Sequence, residues 1–234
     1  IVSFVQPTHA TLAHLDTIFE YISTLTRKIL QGFTYPFGSY ALHTFLPDGD
    51  IDACCFTSKP SDNQWATKLV AALCSEALGD NKDSKPPPAS IRSVQLVNGH
   101  IKVIKTIIGQ ANIDIICNHS HTIAALVFFE DVDRLLQQQH LFKRAILLTK
   151  TWAQNEGNII GGSNGLLTSY ALRVMLLYIF NRYYATIETP LQTLHMLLET
   201  SAAFDWANDV FTVYGPVPRS KLPINYEALA IEFE

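Results

Sequence analysis

The chain has 234 residues, room for one large domain or two small ones, with 48% apolar and 16% charged side chains and a net charge of −4. That composition supplies a sizeable core and excludes a largely disordered chain. The acidic balance excludes the broad basic surface that grips long duplexes, and no apolar run reaches the roughly 18 residues of a membrane span, so no membrane partner is expected. The opening Ile1-Val2-Ser3-Phe4-Val5 has no Met, basic region or small-residue cleavage site, so it is not a secretory signal and reads as a trimmed start. Cys54, Cys55, Cys74 and Cys117 form no CxxC pair and read as reduced thiols of an intracellular protein, in cytoplasm, nucleus or an organelle.

In chain order, Leu12, Leu15, Ile18, Phe19, Ile22, Leu25 and Ile29 recur at helical spacing over 8–31, and Gly32 stops the helix. Phe33 to Phe37 leads into a turn at Gly38-Ser39, and Ile51 to Phe56 predicts a strand. After Lys59-Pro60-Ser61, Asp62 caps a helix through Trp65, Leu69, Val70 and Leu73. Residues 79–89 are polar and Pro-rich, hence a loop. Asn98-Gly99 between Ile91–Val97 and Ile101–Ile108 signals a hairpin, and a turn at Gly109-Gln110 precedes a strand from Asn112 to Cys117.

Beyond Asn118 the period turns helical, over 121–138, 140–155, 165–183 and 190–203. The loop 157–164 precedes the third of these helices, with Ser163 or Asn164 as its cap. The expected fold is α+β: a domain over 1–118 with a small mixed sheet and helices, then an all-helical domain over 119–234.

The chemistry gathers around 38–52. Asp50 and Asp52 flank Ile51 at a strand start, and side chains two apart share a face. Two carboxylates on one face repel and call for a hard divalent cation with oxygen ligands, Mg²⁺ or Mn²⁺. Gly38-Ser39 provides a tight turn whose amides can hold phosphate. Asp114, between Ile113 and Ile115 in a later strand, is the candidate third carboxylate if the two strands are neighbours. A lone Asp-x-Asp is ordinary on a solvated face; the spacing to Gly38-Ser39 and the third Asp lift it above that.

Gly38-Ser39, ten intervening residues, Asp50-Ile51-Asp52 and then Asp114 resemble the signature of the DNA polymerase beta-like nucleotidyltransferase superfamily. Residues 141–154, the Gly-rich loop and 165–172 look like the central domain of noncanonical poly(A) polymerases and terminal uridylyltransferases. The resemblance implies a polymerase beta-like catalytic domain, a PAP/OAS1-like substrate-binding domain, and a nucleotide cleft between them. It implies template-independent addition of AMP or UMP, from ATP or UTP, to an RNA 3′ end. By its motifs, Asp50, Asp52 and Asp114 are the catalytic, metal-binding residues. Gly38, Ser39, Lys150 and Ser169 bind the phosphates, and Tyr170 stacks on the base.

The match has departures. Gln154 stands where many relatives carry a second lysine, leaving Lys143 as a nearby cation. Glu130 and Asp131 lie nearest the family's ribose-binding Asn, and no base-recognition loop is found before Glu234. Two rival readings stay open: an inactive nucleotidyltransferase-like scaffold, and a nucleotidyltransferase acting on a small-molecule acceptor. Of the remaining residues, His119 and His121 read as loop or cap residues, Trp152 and Trp206 as packing residues. Lys102 and Lys105 read as an acceptor path or a solvated strand face.

Overall fold

The computed structural model describes residues 7–57, 64–79, 86–156, 159–161 and 165–222. Backbone packing divides the chain into two compact units, one running to Lys143 and one from Arg144.

In the first unit the long α1 (His9–Leu30) opens on Thr8, whose hydroxyl accepts the Thr11 amide, and closes on Gln31 in the left-handed region. Its apolar stripe buries Ile18 and Ile22 completely. Then follow β1 (Phe33–Phe37), the one-turn α2 (Gly38–Ala41), β2 (Ile51–Phe56), α3 (Trp65–Leu78), β3 (Ile91–Asn98), β4 (Lys102–Ile108), β5 (Ala111–Cys117) and α4 (Ser120–Leu136). The five strands form one mixed sheet in the order β1-β2-β5-β4-β3. Only β2 and β5 pair in parallel.

Alternation along the strands sets two faces. Ile51, Ala53 and Cys55 of β2, Ile113, Ile115 and Cys117 of β5, and Ile104 and Ile108 of β4 join α1 and α3 in the core. Asp52, Asp114 and Lys105 stand on the opposite face, out of phase with those residues. The expected hairpin at Asn98-Gly99 and the strand ending at Cys117 are both present. Asp62 lies outside the described residues, and α3 opens after Gln64 without a side-chain cap.

The segment after α4 is unusual. Gln137, Gln138, Gln139 and His140 have positive φ of 56°, 38°, 54° and 59°, a run of conformations that L residues adopt at a cost of about 1–3 kcal/mol each; Gln137, with ψ −108°, lies outside the left-handed helical region. Asp133, only 2% exposed, anchors the run. One Asp133 oxygen shares a 2.6 Å hydrogen bond with His140 Nδ1, and the other accepts the Lys143 amide at 3.3 Å.

The second unit holds most of α5 (Leu141–Asn155), with α6 (Ser169–Tyr183) and α7 (Pro190–Ala203). α6 buries Leu172, Met175, Leu176, Leu177, Ile179 and Phe180. α7 begins with a capping box between Thr189 and Gln192 and with Pro190 in its first turn.

Two expectations are corrected here. The second half is not all helix: β6 (Asp209–Thr212) and β7 (Gly215–Pro218) form an antiparallel hairpin. Four-residue strands carrying two prolines are too short to show a period. They are held instead by Phe211, which meets Tyr178 edge-on at 5.1 Å and stacks under Trp206. The third helix starts at Ser169 rather than 165, because Leu166 and Leu167 hydrogen-bond back to Gly161 and Ile159. Its cap is Thr168, whose hydroxyl accepts the Ala171 amide at 3.0 Å; Ser163 and Asn164 lie outside the described residues.

Candidate active site

Parallel pairing of β2 with β5 sets Asp52 directly beside Asp114. Antiparallel pairing of β5 with β4 sets Lys105 beside Asp114 on the other side. Asp52, Asp114 and Lys105 therefore form one row across three neighbouring strands, each step about 4.8 Å. The Lys105 ammonium donates to Asp114 Oδ2. Asp50, just before β2, is drawn into the same network. Its carboxyl is pushed above the usual carboxylate range, first by desolvation and next by the Asp114 charge. The Asn112 side chain and the Lys105 charge pull the other way.

Gly38 is fitted to this group. It has φ +68°, and a Cβ built on it would overlap the Asp52 carboxylate, standing 2.9 Å from its Cγ. Only glycine combines that conformation with that clearance. Ser39 follows inside α2, and its carbonyl accepts the Thr44 amide at 2.9 Å. The structure thus brings Gly38, Asp50, Asp52 and Asp114 together in the first unit. Asp52 and Asp114 on neighbouring strands, with Asp50 just before β2, supply carboxylate oxygens of the kind a hard divalent ion takes. Among the described residues no group of three His, Cys, Asp or Glu side chains is spaced as a metal-ligand set.

In the second unit, Lys150 is 7% exposed on α5, which rules out the surface-lysine alternative. Ser169 is the first residue of α6, and its carbonyl accepts from Arg173 Nε at 3.1 Å. Tyr170 is 55% exposed, so it is not a core aromatic. Lys143, the nearby cation that would offset Gln154, is engaged in the first unit, where its ammonium donates to both oxygens of Glu130 at 2.7 and 2.8 Å.

Two members of the network stood outside the predicted site. Asn112 lies two residues before Asp114, and the period of two is the signal that would have found it. Lys105, read as an acceptor path or a solvated face, is the ion-pair partner of Asp114. His119 and His121 meet edge-on with centroids 5.3 Å apart. Burial, with His121 and His100 close by, holds His119 below its ordinary imidazole value.

Residues 18–134 match the nucleotidyltransferase domain, and residues 136–232 match the PAP/OAS1 substrate-binding domain. Protein HESO1 of Arabidopsis thaliana is 22% identical over 216 residues, covering 83% of this chain; the chain spans 38% of that relative's length. Among solved structures, Cid1, described with RNA terminal uridylyl transferase activity, superposes with a TM-score of 0.73 at 15% identity. That match covers 94% of this chain and 73% of Cid1. A Cid1 poly(U) polymerase structure with MgGTP bound reaches 0.77 at 14% identity, covering 99% and 80%. At such identities the structural likeness is one of fold. With both domain models matched in this order, the chain belongs to the nucleotidyltransferase family, its catalytic domain followed by a PAP/OAS1 substrate-binding domain.

Proposed function

We propose that the protein is a template-independent RNA 3′-terminal nucleotidyltransferase, moving UMP or AMP from UTP or ATP to an RNA 3′ hydroxyl with release of pyrophosphate. The observation that carries the reading is the side-by-side register of Asp52 and Asp114, with Asp50 and Gly38 joined to the pair. Family membership and the printed activity of Cid1 support it.

Asp50, Asp52 and Asp114 would hold Mg²⁺ or Mn²⁺, which when bound neutralises charge on the triphosphate and acidifies the attacking hydroxyl. Metal-bound nucleotide in Cid1 structures supports a divalent ion. The chain's own residues do the rest. Asp114 accepts the proton of the 3′ hydroxyl. Gly38 leaves the Asp52 carboxylate its space, and the Gly38-Ser39 turn faces the β- and γ-phosphates. On the strength of the resemblance, Lys150 and Ser169 are assigned to the triphosphate and Tyr170 to the base. A half-exposed ring on the first turn of α6 suits stacking on any base. We place the division between catalytic and substrate-binding functions at 118/119, before α4, although backbone packing keeps α4 with the first unit.

The test is extension of a labelled oligoribonucleotide with each of the four NTPs and Mg²⁺ or Mn²⁺. Ladders with UTP or ATP, absent in Asp52→Asn, are expected. Metal-dependent NTP binding without extension would favour the scaffold reading. No extension of RNA together with transfer to a small acceptor would favour the third.

A further inference from the structure

We propose that Lys105 is the resident counter-cation of the carboxylate site: a positioning residue that holds Asp114 in the metal-free protein and yields it when a divalent ion enters. The inference rests on the metal-dependent reading above and goes further, because it assigns the site its own internal competitor for the metal.

The argument begins with register. Lys105 and Asp114 are direct cross-strand partners on the face away from the core, where side chains of neighbouring strands meet. The placement follows from the alternation of β4, which buries Ile104, Thr106 and Ile108 and turns Lys105 out between them. The next position in the row is Asp52, so the ammonium closes a line of two adjacent carboxylates. Its charge also reaches Asp50. Two like charges in adjacent register positions destabilise a sheet, and a lysine at the end of the row offsets that repulsion.

Lysine suits an exchangeable role. Its ammonium is a compact charge on a flexible four-carbon stem, without the bidentate fork of arginine. The Lys105 side chain is 50% exposed while Asp114 is 22% exposed, so the cation can swing into water and leave its partner in place. While bound, it takes an Asp114 oxygen that a metal would need, and its charge repels a divalent ion. Lys105 thus lowers apparent metal affinity and supports the empty site, two effects with opposite signs in a binding and a stability experiment.

The experiment measures Mn²⁺ binding by the electron paramagnetic resonance of free Mn²⁺, and thermal melting in chelator and in Mn²⁺. It compares wild type with Lys105→Met, Lys105→Gln and Lys105→Arg. Lys105→Met and Lys105→Gln should bind Mn²⁺ about tenfold more tightly. They should melt below wild type in chelator and recover in Mn²⁺, because ligand binding stabilises the state that binds it. Lys105→Arg keeps the charge and adds the bidentate fork, so it should bind Mn²⁺ no more tightly than wild type, and Asp114→Asn should abolish the effect of Lys105→Met in a double-mutant cycle. Unchanged or weaker Mn²⁺ binding by Lys105→Met and Lys105→Gln overturns the proposal, as does an equal melting deficit with and without metal. Absence of Mn²⁺ binding by wild type removes the metal-dependent reading and the proposal together, a result distinct from binding that ignores Lys105.

Discussion

The Asp52 carboxylate lies against the Cα of Gly38, leaving no space for a side chain between them. The glycine of the family signature and its second aspartate are thereby one structural unit: the turn takes its shape around the acid. Gly38→Ala adds a methyl group at φ +68°, which costs about 1–2 kcal/mol in backbone strain, and it displaces Asp52. RNA extension should fall by about 10²-fold, the usual penalty of a misplaced reacting geometry. Initial rates alongside urea denaturation separate the two effects. Wild-type extension by this variant would show that the contact does not matter to the site.

Tyr170 is assigned to base stacking, which is worth about 1–3 kcal/mol per base. Tyr170→Ala should raise the KM for the NTP by roughly tenfold or more while leaving the melting temperature unchanged, since the ring is half exposed. Tyr170→Phe keeps the aromatic face and should stay close to wild type. If alanine and phenylalanine behave alike, the ring is not a stacking platform.

The His119 imidazole is held below its ordinary value by burial, helped by His121 and His100. The unfolded chain then takes up this proton at a higher pH than the folded chain does. Stability contributed by neutral His119 is present above about pH 6.5 and is lost as pH falls below it. Denaturation midpoints of His119→Gln should decline less between about pH 7 and 5 than those of wild type. Parallel curves would argue that His119 titrates normally.

The positive-φ run Gln137–His140 makes two opposite stability predictions. Gln138→Gly relieves one strained position and should raise stability by about 1 kcal/mol. Asp133→Ala removes the buried acceptor of His140 and the Lys143 amide and should lower stability by about 1–3 kcal/mol. Urea titration of both reads the difference, and a destabilising Gln138→Gly would mean that the turn carries no strain.

The sheet and its carboxylates were legible because two short-range signals agree there: the period of two in β2 and β5, and the Asn98-Gly99 hairpin that folds β4 back beside β5. Lys105 was visible as a residue but not as a partner, because cross-strand pairing depends on register, which no local window contains. The same limit hid the β6–β7 hairpin, whose four-residue strands owe their place to Phe211 and Tyr178. The start of α6 is hidden from the sequence because Leu166 and Leu167 continue a helical pattern, while their amides are bonded to the 159–161 segment. The cap at Thr168 outweighed that periodicity.

Both outer strands of the five-stranded sheet carry an interruption. Pro36 lies within β1, where it offers no amide, and the pairing of β3 slips between Ile91 and Ser93. An incoming strand from another molecule would meet a proline in one edge strand and a bulged edge strand on the other. The sheet is therefore guarded against growth by edge-to-edge addition, and repairing either interruption should make the protein more prone to aggregate.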